Sequence, residues 1–342
     1  MASISSSASA GRRELSSGEP QVGVIGAGAW GTALAILANR AGSHTTLWTR
    51  NPQVIDSIHA RRENAQYLPD QFIDPAIAVT DDSAFVSACD MLVVTIPAQS
   101  LRTVAISLSD KVPANVPIIV ATKGIERGSL MLMSEVLQSI LPHNPYAILS
   151  GPNFAREAAA GLPTATTLAT HHAHLTDKMI FALGGKYFRL YVNDDPIGTQ
   201  IGGAVKNVLA IAAGIVEGRG LGENARAALI TRGLVEMTRL ARAKGGSEET
   251  LMGLSGIGDM MLTCMSTKSR NYALGVAIGR GGIARGGALT EGVATAESVS
   301  QLARKLGVAM PIAFAVHEVL SGAVPVAAAI EKLLERPVVS EG

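Results

Sequence analysis

The sequence predicts an α/β fold in two parts: a doubly wound sheet domain over residues 21–194, then an all-α C-terminal domain over residues 195–336. In the first part, short apolar runs alternate with helical patterns, an order typical of a parallel sheet covered by helices on both faces. In the second part the strand patterns stop, and apolar residues recur at helical spacing. The first apolar run also ends in a glycine-rich turn.

This glycine turn, residues 26–31, follows a buried strand over residues 22–25 and opens a helix over residues 32–41. In a dinucleotide site Gly26 makes the turn, Gly28 lets a pyrophosphate approach bare backbone, and Gly31 lets the helix pack closely on the strand. The phosphates then lie at the helix N-terminus, where free N–H groups favour negative charge. The residues therefore predict a Rossmann-type domain that binds a dinucleotide.

The other elements follow in chain order. Gly42 ends the first helix at a C′ position, and Pro52 opens the second, residues 52–62, at N1. Another helix is predicted over residues 130–141. Further strands are predicted over residues 44–49, 77–80, 91–96, 117–122, 146–149, 164–170 and 186–192. In the second part, helices are predicted around Lys206, over residues 229–241, and from Glu291, Pro311 and Pro325.

Composition argues against several classes of function. The 342 residues carry a net charge of +1, which predicts no bulk binding to nucleic acid or to a membrane surface. Two cysteines, Cys89 and Cys264, give no disulfide framework and fit a reducing compartment. The apolar stretch around Lys206 also carries Gln200 and Asn207, so we expect no membrane span there.

Residues 1–20 differ from the rest of the chain. They are rich in Ser, include Arg12 and Arg13, and lack an apolar segment, which argues against a secretory signal. A disordered N-terminal extension is the preferred interpretation, and an organelle transit peptide is the alternative.

Arg50 ends the second strand, about twenty residues past the glycine turn, where an NAD site normally has Asp or Glu for the ribose 2′-hydroxyl. An Arg there accommodates the 2′-phosphate of NADP. Residues 47–51 contain no carboxylate. We therefore predict NADP as the cofactor, with NAD as a second cofactor. A solvated surface arginine is the alternative.

Lys206 lies inside an otherwise apolar helix and is followed by Asn207. The small residues Gly202, Gly203 and Ala204 come shortly before it in the sequence. Burial lowers the pKa of a lysine towards values useful to a general base. The small neighbours would let a ligand or another element approach it. A lysine whose head group reaches solvent is an equally good interpretation on these residues alone.

Ser269, Arg270 and Asn271 open a further helix, and together they make an anion site of hydroxyl, guanidinium and helix N-terminus. Asp259 follows a second glycine-rich turn and begins another helix, where an N-cap is the commonest use of Asp.

His171, His172 and His174 have no carboxylate or cysteine at ligand spacing, so no metal is predicted. A nucleophilic role for Cys264 is disfavoured because its apolar neighbours predict a buried, inert thiol.

An ordered series of motifs, from residue 21 to about 334, closely resembles the bacterial NAD(P)-dependent glycerol-3-phosphate dehydrogenases. The series comprises the glycine turn with Trp30, Thr122-Lys123-Gly124, Gly151-Pro152-Asn153-Phe154-Ala155, Lys206-Asn207, Gly256-Ile257-Gly258-Asp259, Ser269-Arg270-Asn271 and Glu291-Gly292. The resemblance implies reversible hydride transfer between dihydroxyacetone phosphate and sn-glycerol 3-phosphate, in the cytoplasm, for phospholipid synthesis. It also implies a homodimer.

By position, the resemblance implies that Lys206 accepts the substrate proton. The implied substrate-binding residues are Lys123, Gly151, Asn153, Lys206, Asp259, Ser269, Arg270 and Asn271. The implied cofactor-binding residues are Gly26, Gly28, Ala29, Trp30, Gly31, Arg50, Lys123, Ala155, Arg270, Leu289 and Glu291. One departure is Asn153, where the family usually has Ser, although Asn also donates and accepts hydrogen bonds.

Two other functions stay open at this point. A related two-domain hydroxyacid dehydrogenase would share the glycine turn and the buried lysine but would not need the anion site at residues 269–271. A non-enzymatic NADP sensor would keep the sheet domain and would have no need for Lys206.

Overall fold

A computed structural model describes residues 18–282 and 291–337. The extension predicted over residues 1–20 lies outside the described residues, apart from 18–20. The predicted fold class is confirmed, because an eight-stranded sheet flanked by helices precedes a helical C-terminal part.

The strands are β1 (Gln21–Ile25), β2 (His44–Trp48), β3 (Glu63–Asn64), β4 (Leu68–Phe72), β5 (Ala78–Thr80), β6 (Met91–Val94), β7 (Ile118–Val120), β8 (Tyr146–Ser150), β9 (Thr164–Ala169) and β10 (Phe188–Asn193). The large sheet has the order β10-β9-β8-β7-β6-β1-β2-β5, and β3 pairs with β4 in a separate hairpin. This hairpin has no counterpart in the sequence prediction.

The helices are α1 (Ala29–Arg40), α2 (Pro52–Arg61), α3 (Leu101–Leu108), α4 (Met133–Gln138), α5 (Ala155–Ala159), α6 (Thr176–Leu183), α7 (Pro196–Gly218), α8 (Glu223–Lys244), α9 (Glu248–Leu251), α10 (Asp259–Cys264), α11 (Arg270–Gly279), α12 (Glu291–Lys305), α13 (Pro311–Leu320) and α14 (Val326–Leu334). Gly42 follows the C-cap of α1 with φ +94°. The predicted C′ glycine is therefore confirmed.

The prediction of a parallel sheet is wrong at one place, because β8 and β9 pair antiparallel. Only α5, a five-residue helix, lies between them. A helix this short cannot return the chain along the length of the sheet, as a parallel crossover requires. The helix predicted over residues 130–141 is also shorter, since Leu130 has φ +60° and cannot be helical.

Apolar side chains pack on both faces of the sheet. Val24 belongs to the cluster under α1, whereas its neighbour Ile25 belongs to the cluster under α3 and α4. This alternation follows from the two-residue period of a strand. Both faces are therefore covered, as a doubly wound sheet requires.

The helical part is built around α7, in which every residue from Gly198 to Val216 is buried. A Cβ on Gly214 would overlap the carbonyl oxygen of Tyr272, and a Cβ on Gly275 would overlap that of Ile211. Glycine thus allows α7 and α11 to pack backbone against backbone. α7 is the one described helix long and apolar enough to cross a membrane, and 89% of its apolar window is buried inside the fold.

Polar contacts join the two parts of the chain. The Gln200 side chain on α7 accepts a hydrogen bond from the Ser134 N–H on α4 at 3.0 Å and donates one to the Ser134 hydroxyl at 2.9 Å. Lys244 on α8 lies 2.6 Å from Glu135. These contacts fix α7 and α8 against α4 of the sheet domain.

Candidate active site

The glycine turn has the geometry of a phosphate-binding loop. Gly26 has φ +110°, a value that only glycine adopts easily, and a Cβ on Gly31 would overlap the Gly26 carbonyl oxygen. A Cβ on Gly28 would meet nothing within 4 Å. The turn therefore has open space over Gly28, at the N-terminus of α1, and it fits a dinucleotide pyrophosphate.

Two side chains outside the turn hold it in place. The Thr95 hydroxyl donates to the Gly26 carbonyl at 2.8 Å, and the Asn64 amide donates to the Ala27 carbonyl at 2.9 Å. Neither residue is among the site residues predicted from the sequence. Thr95 had a signal, since it is a polar residue within the apolar run predicted as a strand. Asn64 had none, because its hairpin was not predicted.

The other residues assigned to the cofactor surround the turn. Arg50 is exposed just beyond the end of β2, which lies beside β1. Trp30 is half-buried, and its ring stacks edge to face on Phe188 with centroids 6.3 Å apart. Ala155 begins α5, which packs against α1. Leu289 lies outside the described residues.

A buried ion cluster joins the two parts of the molecule. Asp259 is 1% exposed, and its two carboxylate oxygens bind two lysines. Oδ1 lies 2.6 Å from Lys206 Nζ on α7, and Oδ2 lies 2.6 Å from Lys123 Nζ, in the loop after β7. Lys206 Nζ also donates to the Thr263 hydroxyl at 2.9 Å. Lys206 is thus held inside the fold, and the N-cap interpretation of Asp259 is wrong.

The electrostatics of this cluster suit proton transfer. Burial lowers the pKa of Lys206 from its ordinary value of 10.5 to about 8. The Asp259 carboxylate opposes this shift, and the Lys123 ammonium adds to it. Burial raises the pKa of Glu291, and the positive charges of Arg270, Lys123 and Lys206 oppose that rise. Glu291 therefore faces the same cluster.

A π-helical turn over Leu254–Gly258 delivers Asp259 to the lysines. Such turns are rare and are found often at functional sites. A Cβ on Gly202 would overlap the carbonyl oxygen of Ser255 in this turn, so glycine permits α7 to lie directly against it. The small residues before Lys206 thus serve the approach of another element of the same chain.

The three residues assigned to an anion site differ in what they offer. The Ser269 hydroxyl caps α11 by accepting from the Tyr272 N–H at 3.3 Å. The Asn271 amide donates to Asn207 at 3.0 Å and accepts from the Gly292 N–H at 3.1 Å. Arg270, by contrast, is exposed at the start of α11. Within the described residues the Arg270 guanidinium donates no hydrogen bond, so its donors can meet a ligand.

Gly151 and Asn153 lie at the end of β8, beside the cluster. The Gly151 carbonyl accepts from Lys123 Nζ at 3.3 Å. The Asn153 amide donates to the Thr166 hydroxyl at 3.0 Å, whereas its buried Oδ1 has no partner in the described part of the chain. Asn153 thus keeps an acceptor where the resemblance places a substrate contact.

The remaining candidates carry no site. Cys264 is fully buried as predicted, and burial raises the pKa of its thiol to about 12, which leaves it unreactive. His172 and His174 stack edge to face, with ring centroids 6.1 Å apart. Within residues 18–282 and 291–337, no three His, Cys, Asp or Glu side chains come together to hold a metal ion.

A dinucleotide-binding sheet domain joined to a helical domain that carries a buried lysine defines a two-domain dehydrogenase. Sequence profiles agree: the profile described as NAD-dependent glycerol-3-phosphate dehydrogenase N-terminus matches residues 21–176, and that of the C-terminus matches residues 195–331. The chain belongs to the NAD-dependent glycerol-3-phosphate dehydrogenase family.

Individual proteins show the same relationship. A glycerol-3-phosphate dehydrogenase [NAD(P)+] from Rhodospirillum rubrum is 49% identical over 94% of this chain and 94% of its own length. One from Maricaulis maris is 50% identical over 92% of this chain and 96% of its own. The crystal structure of glycerol-3-phosphate dehydrogenase from Coxiella burnetii has a TM-score of 0.88 at 38% identity, covering 93% of this chain and 99% of that one.

Proposed function

We propose that this chain is an NAD(P)-dependent glycerol-3-phosphate dehydrogenase that interconverts dihydroxyacetone phosphate and sn-glycerol 3-phosphate. The observation that carries the proposal is the Lys123–Asp259–Lys206 cluster, in which a sheet-domain lysine and a helical-domain lysine share one buried carboxylate. The curated relatives that the chain matches over most of its length carry this activity in their names.

In this mechanism the glycine turn and Arg50 would hold the dinucleotide, which would supply the hydride acceptor for oxidation and the hydride donor for reduction. Neutral Lys206 Nζ takes the proton from the substrate hydroxyl during oxidation and returns it to the carbonyl oxygen during reduction. Asp259 orients Nζ and balances the charge that forms on it. Lys123, fixed by the other carboxylate oxygen, orients the reacting carbon and its oxygen.

Arg270 supplies the contact that selects a phosphate-bearing substrate. Its exposed guanidinium can bind two phosphate oxygens at once. The binding energy of the phosphate then aligns the reacting carbon with Lys206. We assign Ser269 and Asn271 the task of holding Arg270 and the start of α11 in place, alongside their implied contact with the substrate.

We also propose the finer features that the resemblance implies. Residues 21–194 bind the dinucleotide, and residues 195–336 supply Lys206 and the phosphate contact. The product feeds phospholipid synthesis in the cytoplasm. Two buried cysteines that form no disulfide are consistent with this reducing compartment. The chain forms a homodimer, which sedimentation analysis of the purified protein will test.

The deciding experiment follows NADPH absorbance as dihydroxyacetone phosphate is added to the full chain. We expect oxidation of NADPH with this substrate and none with dihydroxyacetone, which lacks the phosphate. Turnover of phosphate-free 2-oxo acids instead would identify a hydroxyacid dehydrogenase. Tight NADPH binding without turnover of either substrate class would identify a non-enzymatic sensor.

A further inference from the structure

A side chain of the β3–β4 hairpin reaches into the glycine turn. Asn64 is fully buried, and its amide nitrogen donates to the Ala27 carbonyl at 2.9 Å and to the Thr32 hydroxyl at 2.8 Å. Its amide oxygen accepts from the Tyr67 N–H at 3.3 Å within the hairpin. One side chain therefore fastens the hairpin, the glycine turn and the first turn of α1 to one another.

The bond to Ala27 also decides where the next N–H points. In a planar trans peptide the carbonyl of one residue and the N–H of the next point in opposite directions, and no described peptide is cis. Because Asn64 holds the Ala27 carbonyl on the hairpin side, the Gly28 N–H points the other way. That N–H has no acceptor within the described ranges.

The preceding peptide is fixed in the same manner. The Thr95 hydroxyl holds the Gly26 carbonyl, so the direction of the Ala27 N–H is also set. Both N–H groups belong to the turn that opens α1, where the helix dipole favours an anion. Backbone N–H groups in a turn can form an anion-binding concavity, and the Gly28 N–H is one that is left for such a ligand.

We propose that Asn64 is a positioning residue for the dinucleotide: it fixes the Ala27–Gly28 peptide so that the Gly28 N–H faces the pyrophosphate. Asn64 does not touch the cofactor and takes no part in proton transfer. It therefore sets the affinity for the dinucleotide and leaves the chemical step alone. The inference rests on the proposed function, because it assigns the glycine turn to that cofactor.

The test replaces Asn64 with Asp in the full chain, which keeps the shape of the side chain and removes its donors. The dissociation constant for NADPH is measured by fluorescence titration, and KM and kcat by absorbance. We expect the dissociation constant and the KM for NADPH to rise by about tenfold or more, the effect of losing a hydrogen bond in a buried site. At saturating NADPH, kcat and the KM for dihydroxyacetone phosphate should stay at wild-type values.

Asn144 provides a matched control. It is also buried, and its amide nitrogen donates to two backbone carbonyls, those of Pro113 and Val116, each at 2.9 Å. These bonds hold the loop before β7, at the opposite end of the parallel strands from the glycine turn, which follows β1. Asn144→Asp should lower the melting temperature as Asn64→Asp does, with an unchanged dissociation constant for NADPH.

A folded Asn64→Asp protein with wild-type affinity for NADPH would overturn the proposal, as would an equal loss of affinity in Asn144→Asp. If Asn64→Asp does not fold, Asn64→Ala removes the same donor to the Ala27 carbonyl without adding a charge. We expect it to weaken NADPH binding several-fold, and an unchanged affinity would again contradict the proposal. Failure of the proposed function is separate, because it would appear as a wild-type chain that does not oxidise NADPH with dihydroxyacetone phosphate, whereas the role of Asn64 is tested by the dissociation constant for NADPH.

Discussion

Lys206 combines burial with two hydrogen-bond partners, and its pKa of about 8 follows from that environment. Lys206→Met roughly keeps the length of the side chain and removes the amine that binds and releases the proton. We expect kcat to fall by about 10²–10⁴-fold in both directions, the usual contribution of a general acid–base. Lys244→Met, which breaks an ion pair with Glu135 away from the site, is the control and should keep its kcat.

We expect the same lysine to set the pH dependence of the wild-type enzyme. Oxidation of sn-glycerol 3-phosphate needs neutral Nζ, so its rate should rise with pH through about 8. Reduction of dihydroxyacetone phosphate needs the ammonium form, so that rate should fall over the same range. Initial rates measured in both directions across this range check the assignment, and two profiles of the same sign would contradict it.

Arg50 is the residue that the sequence links to the choice of cofactor. Arg50→Asp replaces the proposed donor for the 2′-phosphate with a negative charge. We expect the affinity for NADPH to fall by about 10- to 100-fold, the range of a lost charge-assisted hydrogen bond, and the affinity for NADH to change little. Arg61→Asp on α2 is the exposed control. Equal losses for both cofactors in Arg50→Asp would make Arg50 a structural residue.

At the scale of elements, the contact between α7 and the π-helical turn decides the geometry of the cluster. Gly202→Ala puts a methyl group into the Ser255 carbonyl, in the turn that leads directly into Asp259. We expect a loss of about 1–3 kcal/mol in the free energy of unfolding, as for other overpacked sites, together with a lower kcat.

Gly233 on α8 offers the matched comparison for that variant. A Cβ there would meet the Leu209 side chain, with the nearest atom at 2.7 Å, and a flexible side chain can move aside. Gly233→Ala should therefore cost less stability and leave kcat unchanged. Equal melting temperatures for the two variants would show that Gly202 on α7 does not lie directly against the Ser255 carbonyl of the π-helical turn.

At the scale of the whole molecule, the cluster makes the titration of a helical-domain lysine depend on the sheet domain. The Lys123 ammonium lowers the pKa of Lys206, so removing that charge raises it. Lys123→Met should move the pH midpoint of oxidation upward, whereas Lys244→Met should leave it in place. A midpoint unchanged in Lys123→Met would show that the two lysines do not sense each other.

The features predictable from sequence are those that nearby residues determine. The glycine turn is visible because turn, helix start and strand end lie within a dozen residues, and Lys206 stands out because a charge in an apolar helix is costly. The residues that contact them in the folded chain could not be predicted. Lys123 meets Asp259 across 136 positions of sequence, and Asn64 meets Ala27 across 37. The antiparallel β8–β9 pair depends on chain path, which periodicity does not encode.

The burial of α7 has a consequence for how activity is lost. Because every residue from Gly198 to Val216 is buried, its amides should be among the slowest in the chain to exchange hydrogen for deuterium. We expect Lys206 to belong to the unit that opens only with global unfolding, whereas the exposed Arg50 follows β2, one strand in from the edge of the sheet. Exchange measured by mass spectrometry checks this order. Partial openings that release the cofactor would leave the base in position, and activity would return as soon as the sheet edge closes.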